Sequence, residues 1–430
     1  MTWSLRAYQA AAWAILPAAL ARAAWRARRH PGARGRLNER LGYGAGLAAG
    51  GLWVHAVSVG ETRAAAPFVR HWLRAHPDCP VLVTTTTFTG AEQVRMLFGD
   101  QVTHRFAPYD LQGAVDRFLD RAQPRAAVIF ETELWPVLYR ALDRRGIPLL
   151  IANARLSERS FHGYRRIAGL MRQTLAVPRA IGAQGAEDAR RLIALGAPET
   201  TTRVTGNIKF DIEVAPDLPP AGERLRSIWG PRRPVWVAAS THAGEETAVL
   251  AAHRVVQRLC PEALLVLVPR HPERFDAVAR LLTEQRFQMV RRSQGGAVAP
   301  GTEVLLGDTM GELMLFFAAA DCAFIGGSLV PTGGHNPLEA LAVGRPAIFG
   351  PHMFNFREIA HWALTAQAAC AVADAGALAA AVRLYLTDPG ARRRAGDQGL
   401  ALVRAQAGAL ARTVALAEDL FTPDRPRAAP

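Results

Sequence analysis

VAPDLPPAGERLRSIWGPRRP, Val214–Pro234, carries five prolines at its two ends and divides the chain into halves of similar size. Prolines in that density read as an interdomain connection. On its N-terminal side, short apolar runs alternate with helical patterns. Candidate strands are Leu52–Val57, Val81–Thr86, Ala126–Phe130, Leu149–Ala152 and Ala180–Ala183, with helical spacing between them at Gly113–Arg121 and Glu187–Leu195. On its C-terminal side the rhythm restarts at Val235–Ala239, Leu264–Val268, Val304–Leu306, Cys322–Ile325 and Ala347–Phe349. Strands alternating with helices imply a parallel sheet covered on both faces. The pattern predicts an α/β protein of two Rossmann-like, doubly wound domains facing a cleft, 31–213 and 235–420, joined by 214–234. Ligands of such sheets bind outside the carboxyl ends of the strands. Motifs that fall at strand ends are therefore the candidates for chemistry.

Composition sets the bounds. The chain has 430 residues, half of them hydrophobic and 20% charged. That supports a large core and excludes a disordered, collagenous or small disulfide-stapled protein. Cys79, Cys260, Cys322 and Cys370 are far apart and form no C-x-x-C pair, which argues against a zinc finger or redox couple and suits a reducing compartment. Lysine and arginine number 51 against 37 acidic residues, a net charge of +14. Such an excess favours anionic partners: nucleic acid, an anionic membrane or phosphorylated substrates. It is spread along the chain without interleaved aromatics, so no nucleic-acid partner is expected. Lys209 is the single lysine in a chain that otherwise uses arginine. It reads either as a residue kept for chemistry or as a chance survivor.

The N-terminal run WSLRAYQAAAWAILPAALARAAW, Trp3–Trp25, is apolar between Ala7 and Ala21 except for Tyr8 and Gln9. It is shorter than the roughly 20 apolar residues of a full span, and Pro17 interrupts it. Arg22, Arg26, Arg28, Arg29, Arg34 and Arg36 follow. A basic cluster after the apolar run does not suit a cleaved signal peptide. By the positive-inside rule it predicts a cytoplasmic body behind an N-terminal anchor. Residues 1–30 are read as a short membrane anchor or interfacial helix, with an ordinary packed Ala-rich helix as the alternative. Beyond Pro389 the chain reads as helical and ends in a polar, proline-rich tail, 421–430.

SVGE, Ser58–Glu61, follows the first strand. Glu61 suits a general base near a substrate hydroxyl, or simply a helix-start glutamate favoured by the dipole. ETELWP, Glu131–Pro136, follows the strand Ala126–Phe130. Its two carboxylates invite a metal reading, but no third ligand is evident. A substrate-facing Glu131 with Glu133 capping the next helix is the preferred expectation. GNIKFD, Gly206–Asp211, holds Lys209, whose ammonium suits a phosphate or developing negative charge or a surface salt bridge with Asp211. STHAGEE, Ser240–Glu246, suits a phosphate or sugar contact. In PRHPERF, Pro269–Phe275, Arg270 and His271 stand at a strand end, where an arginine fork can grip a phosphate. GDTMGEL, Gly307–Leu313, opens another helix. In GGSLVPTGGHNPLEA, Gly326–Ala340, Asn336 is expected to cap a helix Pro337–Ala342, placing Glu339 where a carboxylate can take ribose hydroxyls.

Together these motifs resemble the Kdo transferases, the lipid A 3-deoxy-D-manno-octulosonic acid transferases of lipopolysaccharide synthesis. SVGE, ETELWP, NARLS, GNIKFD, STHAGEE, VPRHPERF, GDTMGEL and GGHNPLE occur in that family's order. The resemblance implies a GT-B glycosyltransferase at the cytoplasmic face of the inner membrane, inverting and without metal or cofactor. Its donor would be CMP-Kdo and its acceptor a lipid A precursor, lipid IVA. It implies Glu61 as the base, Glu131 as a second catalytic carboxylate and Lys209 as the group that stabilises transition-state charge. Pro269, Arg270, Met310, Gly311, Glu312, Asn336, Pro337, Leu338 and Glu339 would line the CMP site. The alternatives are a UDP-sugar transferase or sugar-nucleotide epimerase of the same fold, or a non-catalytic binder of anionic lipid.

Overall fold

The computed structural model describes residues 3–28, 35–44 and 49–421. They form two compact units. One comprises the residues through Asp211 together with those from Ala407 onward; the other is Ile212–Gln406. Each is built on a seven-stranded sheet in which every pairing is parallel. The first sheet contains β1 (Leu52–His55), β2 (Val81–Thr85), β3 (Thr103–Phe106), β4 (Ala126–Phe130), β5 (Leu149–Ala154), β6 (Ala180–Ala183) and β7 (Thr202–Val204). Their order is β3-β2-β1-β4-β5-β6-β7. The second contains β8 (Val235–Thr241), β9 (Leu264–Pro269), β10 (Met289–Arg291), β11 (Val304–Leu306), β12 (Cys322–Ile325), β13 (Ala347–Phe349) and β14 (Ala369–Ala371). Their order is β10-β11-β9-β8-β12-β13-β14.

In each unit the chain winds outward from its first strand and then returns to that strand's other side. The topological switch points therefore lie between β1 and β4, and between β8 and β12. These are the crevices where doubly wound sheets bind ligands. The central strands are buried along their whole length, as in β4 and β9. Helices on both faces require this, and it makes such strands continuous apolar runs in sequence.

Two boundaries differ from expectation. The proline-rich segment is not a free linker. It contains the helix Leu218–Trp229, with Pro219 and Pro220 in the first turn, where missing N–H groups cost nothing. A side chain on Gly222 would meet Ala318 Cβ at 2.6 Å, so the two backbones are in close contact. Arg226 pairs with Asp321 at 2.9 Å, and Asp321 also accepts the Val235 N–H. The segment is thus part of the second unit. The C-terminal helices also divide. Pro389–Gln406 stays with the second unit, but Ala409–Phe421 belongs to the first. There Ala409, Val414, Ala417 and Leu420 join a core with Val54, Phe68 and Phe130. Asp211 accepts the N–H groups of Gly408 and Leu410 and so caps that helix. An apolar helical stripe shows that a face is buried, not which sheet buries it.

The N-terminal helix Trp3–Ala27 runs unbroken through Pro17. Leu5, Ala23 and Ala27 are buried, whereas Trp13, Ile15 and Trp25 are more than half exposed. The helix thus packs on the first unit along the stripe of Leu5, Ala23 and Ala27, and large apolar side chains are exposed around the rest of its surface. Among the described residues, Pro389–Phe421 is long and apolar enough to cross a membrane. It is, however, two helices broken at Ala407 and Gly408 and shared between the units. Arg29, Arg34 and all but the first residue of the expected tail lie outside the described residues.

Candidate active site

At the first switch point, Ser58 caps the helix Val59–Ala75 and Glu61 is its third residue. The two form a reciprocal box: Ser58 Oγ accepts from the Glu61 N–H and donates to Glu61 Oε1 at 3.1 Å, while Glu61 Oε2 accepts the Val57 N–H at 2.7 Å. Glu61 is thus a helix-start glutamate, as one of its two readings has it, and its carboxyl is buried beyond the carboxyl end of β1. Burial pushes that carboxyl up to about 8; the Val57 N–H opposes the rise, and neighbouring Glu131 and Glu133 reinforce it.

Glu131 directly follows β4 with φ +60°, a left-handed conformation that a non-glycine residue adopts under constraint. Its N–H is held by the Ala152 carbonyl. Lys209 Nζ lies 3.8 Å from Glu131 Oε1, both side chains about one-third exposed. Asp211, the salt-bridge partner of Lys209 in the alternative reading, is instead occupied with the C-terminal helix. The loop carrying Lys209 is fastened from two sides: Asn207 Oδ1 accepts the Lys209 N–H, and Asn153 Oδ1 accepts the Ile208 N–H. Asn153, within NARLS, is itself at φ +53°. Glu133 does not cap the next helix; it accepts the Trp135 indole N–H at 2.8 Å. The cap is Asp110, which takes the N–H groups of Val137 and Leu138. Asn153 and Asp110 act through side-chain oxygens that accept backbone N–H groups of residues distant in sequence; NARLS contains Asn153 without marking that role, and no quoted motif contains Asp110.

At the second switch point, Gly326 follows β12 so closely that a Cβ there would meet Ser240 O at 2.5 Å. Ser240 is at φ +56°, the third strained residue at a strand's carboxyl end. Asn336 Oδ1 accepts the Leu338 N–H, but the short helix is Leu338–Ala342 with Pro337 rather than Asn336 at its N-cap. Glu339 is half-buried; burial raises its pKa and Arg270 lowers it, so the two residues are neighbours electrostatically. Pro269 ends β9, and the Arg270 N–H binds the Thr241 carbonyl. Met310 and Gly311 are exposed on the loop after β11. Glu312 is held by Arg292 at 2.6 Å and by the Thr309 hydroxyl.

Sequence comparison gives this architecture a family. Residues 35–212 match the model described as 3-deoxy-D-manno-octulosonic-acid transferase (kdotransferase), and 238–401 match glycosyl transferases group 1. The 3-deoxy-D-manno-octulosonic acid transferase of Haemophilus influenzae is 43% identical over 90% of this chain and 91% of its own. The chain belongs to the Kdo transferase family. The enzyme of the same description from Bordetella pertussis is 41% identical over 86% of this chain and 87% of its own. The transferase also shares its fold with the UDP-GlcNAc 2-epimerase of Neisseria meningitidis, with a TM-score of 0.52 over 86% of this chain and 99% of the epimerase at 14% identity. The chain is accordingly a glycosyltransferase of two parallel-sheet α/β units, with its expected candidate residues at the carboxyl ends of the strands.

Proposed function

We propose that this transferase moves Kdo from CMP-Kdo to lipid IVA in lipopolysaccharide synthesis, inverting the anomeric centre and using no metal. The observation that carries the mechanism is Glu61, a buried carboxyl at the switch point with a proton affinity near the working pH, as a general base requires. Glu61 takes the proton of an acceptor hydroxyl as that oxygen attacks the anomeric carbon of Kdo. The bond from that carbon to the phosphate oxygen breaks on the opposite face, and CMP leaves with the electron pair. Lys209, placed by Glu131 and by the asparagines that hold its loop, meets the negative charge that develops. In the second unit, Arg270, the Met310–Glu312 loop and Asn336–Glu339 hold the nucleotide, with Glu339 on the ribose hydroxyls.

The basic body and the exposed Trp13, Ile15 and Trp25 support attachment to the cytoplasmic face of the inner membrane through the N-terminal helix. Incubation with CMP-Kdo and tetraacylated lipid A precursor, followed by mass spectrometry, should show addition of Kdo, with and without chelator. No product from CMP-Kdo alongside turnover of a UDP-sugar would overturn the proposal.

A further inference from the structure

The second switch point holds a group of side chains that this mechanism leaves unused. His242 follows β8, and His335 lies on the loop after β12. Their Nε2 atoms are 2.8 Å apart and their rings 9° from coplanar, so one imidazole donates its N–H to the other's lone pair. His271, which follows β9, stands edge-on to His242 with ring centres 5.4 Å apart. Three imidazoles from three adjacent strands thus meet where a doubly wound sheet binds its ligand. The arrangement is built in. Fully buried Glu245 accepts the N–H groups of His242, Gly327, Ser328 and Leu329, tying the two loops together. Gly327 is at φ +68°, and a Cβ there would press on the His335 ring at 3.1 Å.

We propose that the His242–His335 pair binds an anionic group of the sugar-nucleotide donor and takes up one proton from solvent as it does so. The proposal rests on the CMP-Kdo reading above. A neutral pair carries two ring N–H bonds and uses one internally. A third proton gives the pair a full positive charge while that internal bond remains. With no ligand, burial, His271 and Arg270 hold the His242 pKa below its ordinary value, against the pull of Glu245 and Glu246. An arriving anion favours the charged form and reverses the balance. CMP-Kdo offers two anionic groups, its phosphodiester and its sugar carboxylate.

The test is calorimetry of the full chain with CMP and with CMP-Kdo near pH 7.5, in two buffers of different ionisation enthalpy, which reports protons taken up on binding. His242→Gln and His335→Gln place an amide at the Nε2 position, keep a hydrogen bond to the partner and cannot be protonated. Wild type should take up more protons than either variant, and each variant should bind about tenfold or more weakly. A difference seen with CMP assigns the phosphate; one seen with CMP-Kdo alone assigns the carboxylate. The phosphate of CMP titrates alike in all three proteins and cancels in the comparison. CMP-Kdo binding without proton uptake by wild type between pH 6.5 and 8 overturns the proposal whether or not the variants fold. So do equal uptake and affinity in all three, and either result leaves the donor assignment standing. Wild type that binds neither ligand removes the donor assignment and this proposal together.

Discussion

Glu61→Gln separates catalysis from stability in a single residue. The amide fills the same space; its oxygen can accept from Val57 and its NH2 can donate to the Ser58 hydroxyl oxygen, but it cannot take a proton. Turnover with CMP-Kdo and the lipid acceptor should fall about 10²-fold or more, while CMP binding stays intact because the residues proposed to hold the nucleotide lie in the other unit. Wild-type kcat/KM should rise with pH, reach half its limit near 8 and level off above that, where the base is ionised. Stability should move in the opposite sense. The folded protein holds the Glu61 proton more tightly than the unfolded chain does, so its contribution is full below about 4.5 and is lost as pH rises toward about 8. Between about pH 5.5 and pH 9 that loss is at most about 3.4 kcal/mol, from 1.36 kcal/mol for each pH unit crossed. Glutamine escapes this loss, so its Tm relative to wild type should rise over that interval by at most roughly 7–14 °C, for a unit of this size. Differential scanning calorimetry at the two pH values, beside a product assay, checks both parts. Wild-type turnover in the variant, or a Tm difference that stays flat with pH, would refute the reasoning.

Lys209→Arg keeps the charge and an ion pair that is part-exposed and worth about 0–1 kcal/mol. It should melt as wild type does yet lose about 10²-fold in turnover, because a planar fork misplaces its donors by about 1 Å; full activity would make Lys209 a bystander. Glu339→Ala should raise the donor KM roughly 10- to 150-fold, the equivalent of about 1.5–3 kcal/mol for charged hydrogen bonds; unchanged CMP affinity by calorimetry would leave Glu339 a helix-start residue. Replacing Trp13, Ile15 and Trp25 together by Ser should shift the protein from the membrane to the soluble fraction with little change in Tm, since all three side chains are more than half exposed. Fractionation that still finds it wholly on membranes would place the attachment elsewhere.

The ten strands legible in the sequence are the inner strands of the two sheets. The four that were not, β3, β7, β10 and β14, are the four sheet edges. An inner strand must be apolar on both faces and announces itself as a run. An edge strand such as Thr202–Val204 is largely exposed and carries no such signature. The motifs were legible for a related reason: tight turns at strand ends demand glycine, serine and asparagine in short, fixed order. Lys209 was marked by composition, and Glu61 by its place in a capping sequence.

Only the tertiary structure decided what these residues touch. It turned Asp211 away from Lys209 to a helix two hundred residues later, gave Lys209 to Glu131, and made Asp110 rather than Glu133 the cap of the next helix. It carried the last helix back to the first unit, and it brought His242 and His335 together from loops 93 residues apart. Local sequence determines which conformation a segment prefers and which face it must hide. Partners across the chain are chosen by packing, and the proton affinity of a buried carboxyl or imidazole exists only once that packing has excluded water and set its neighbours.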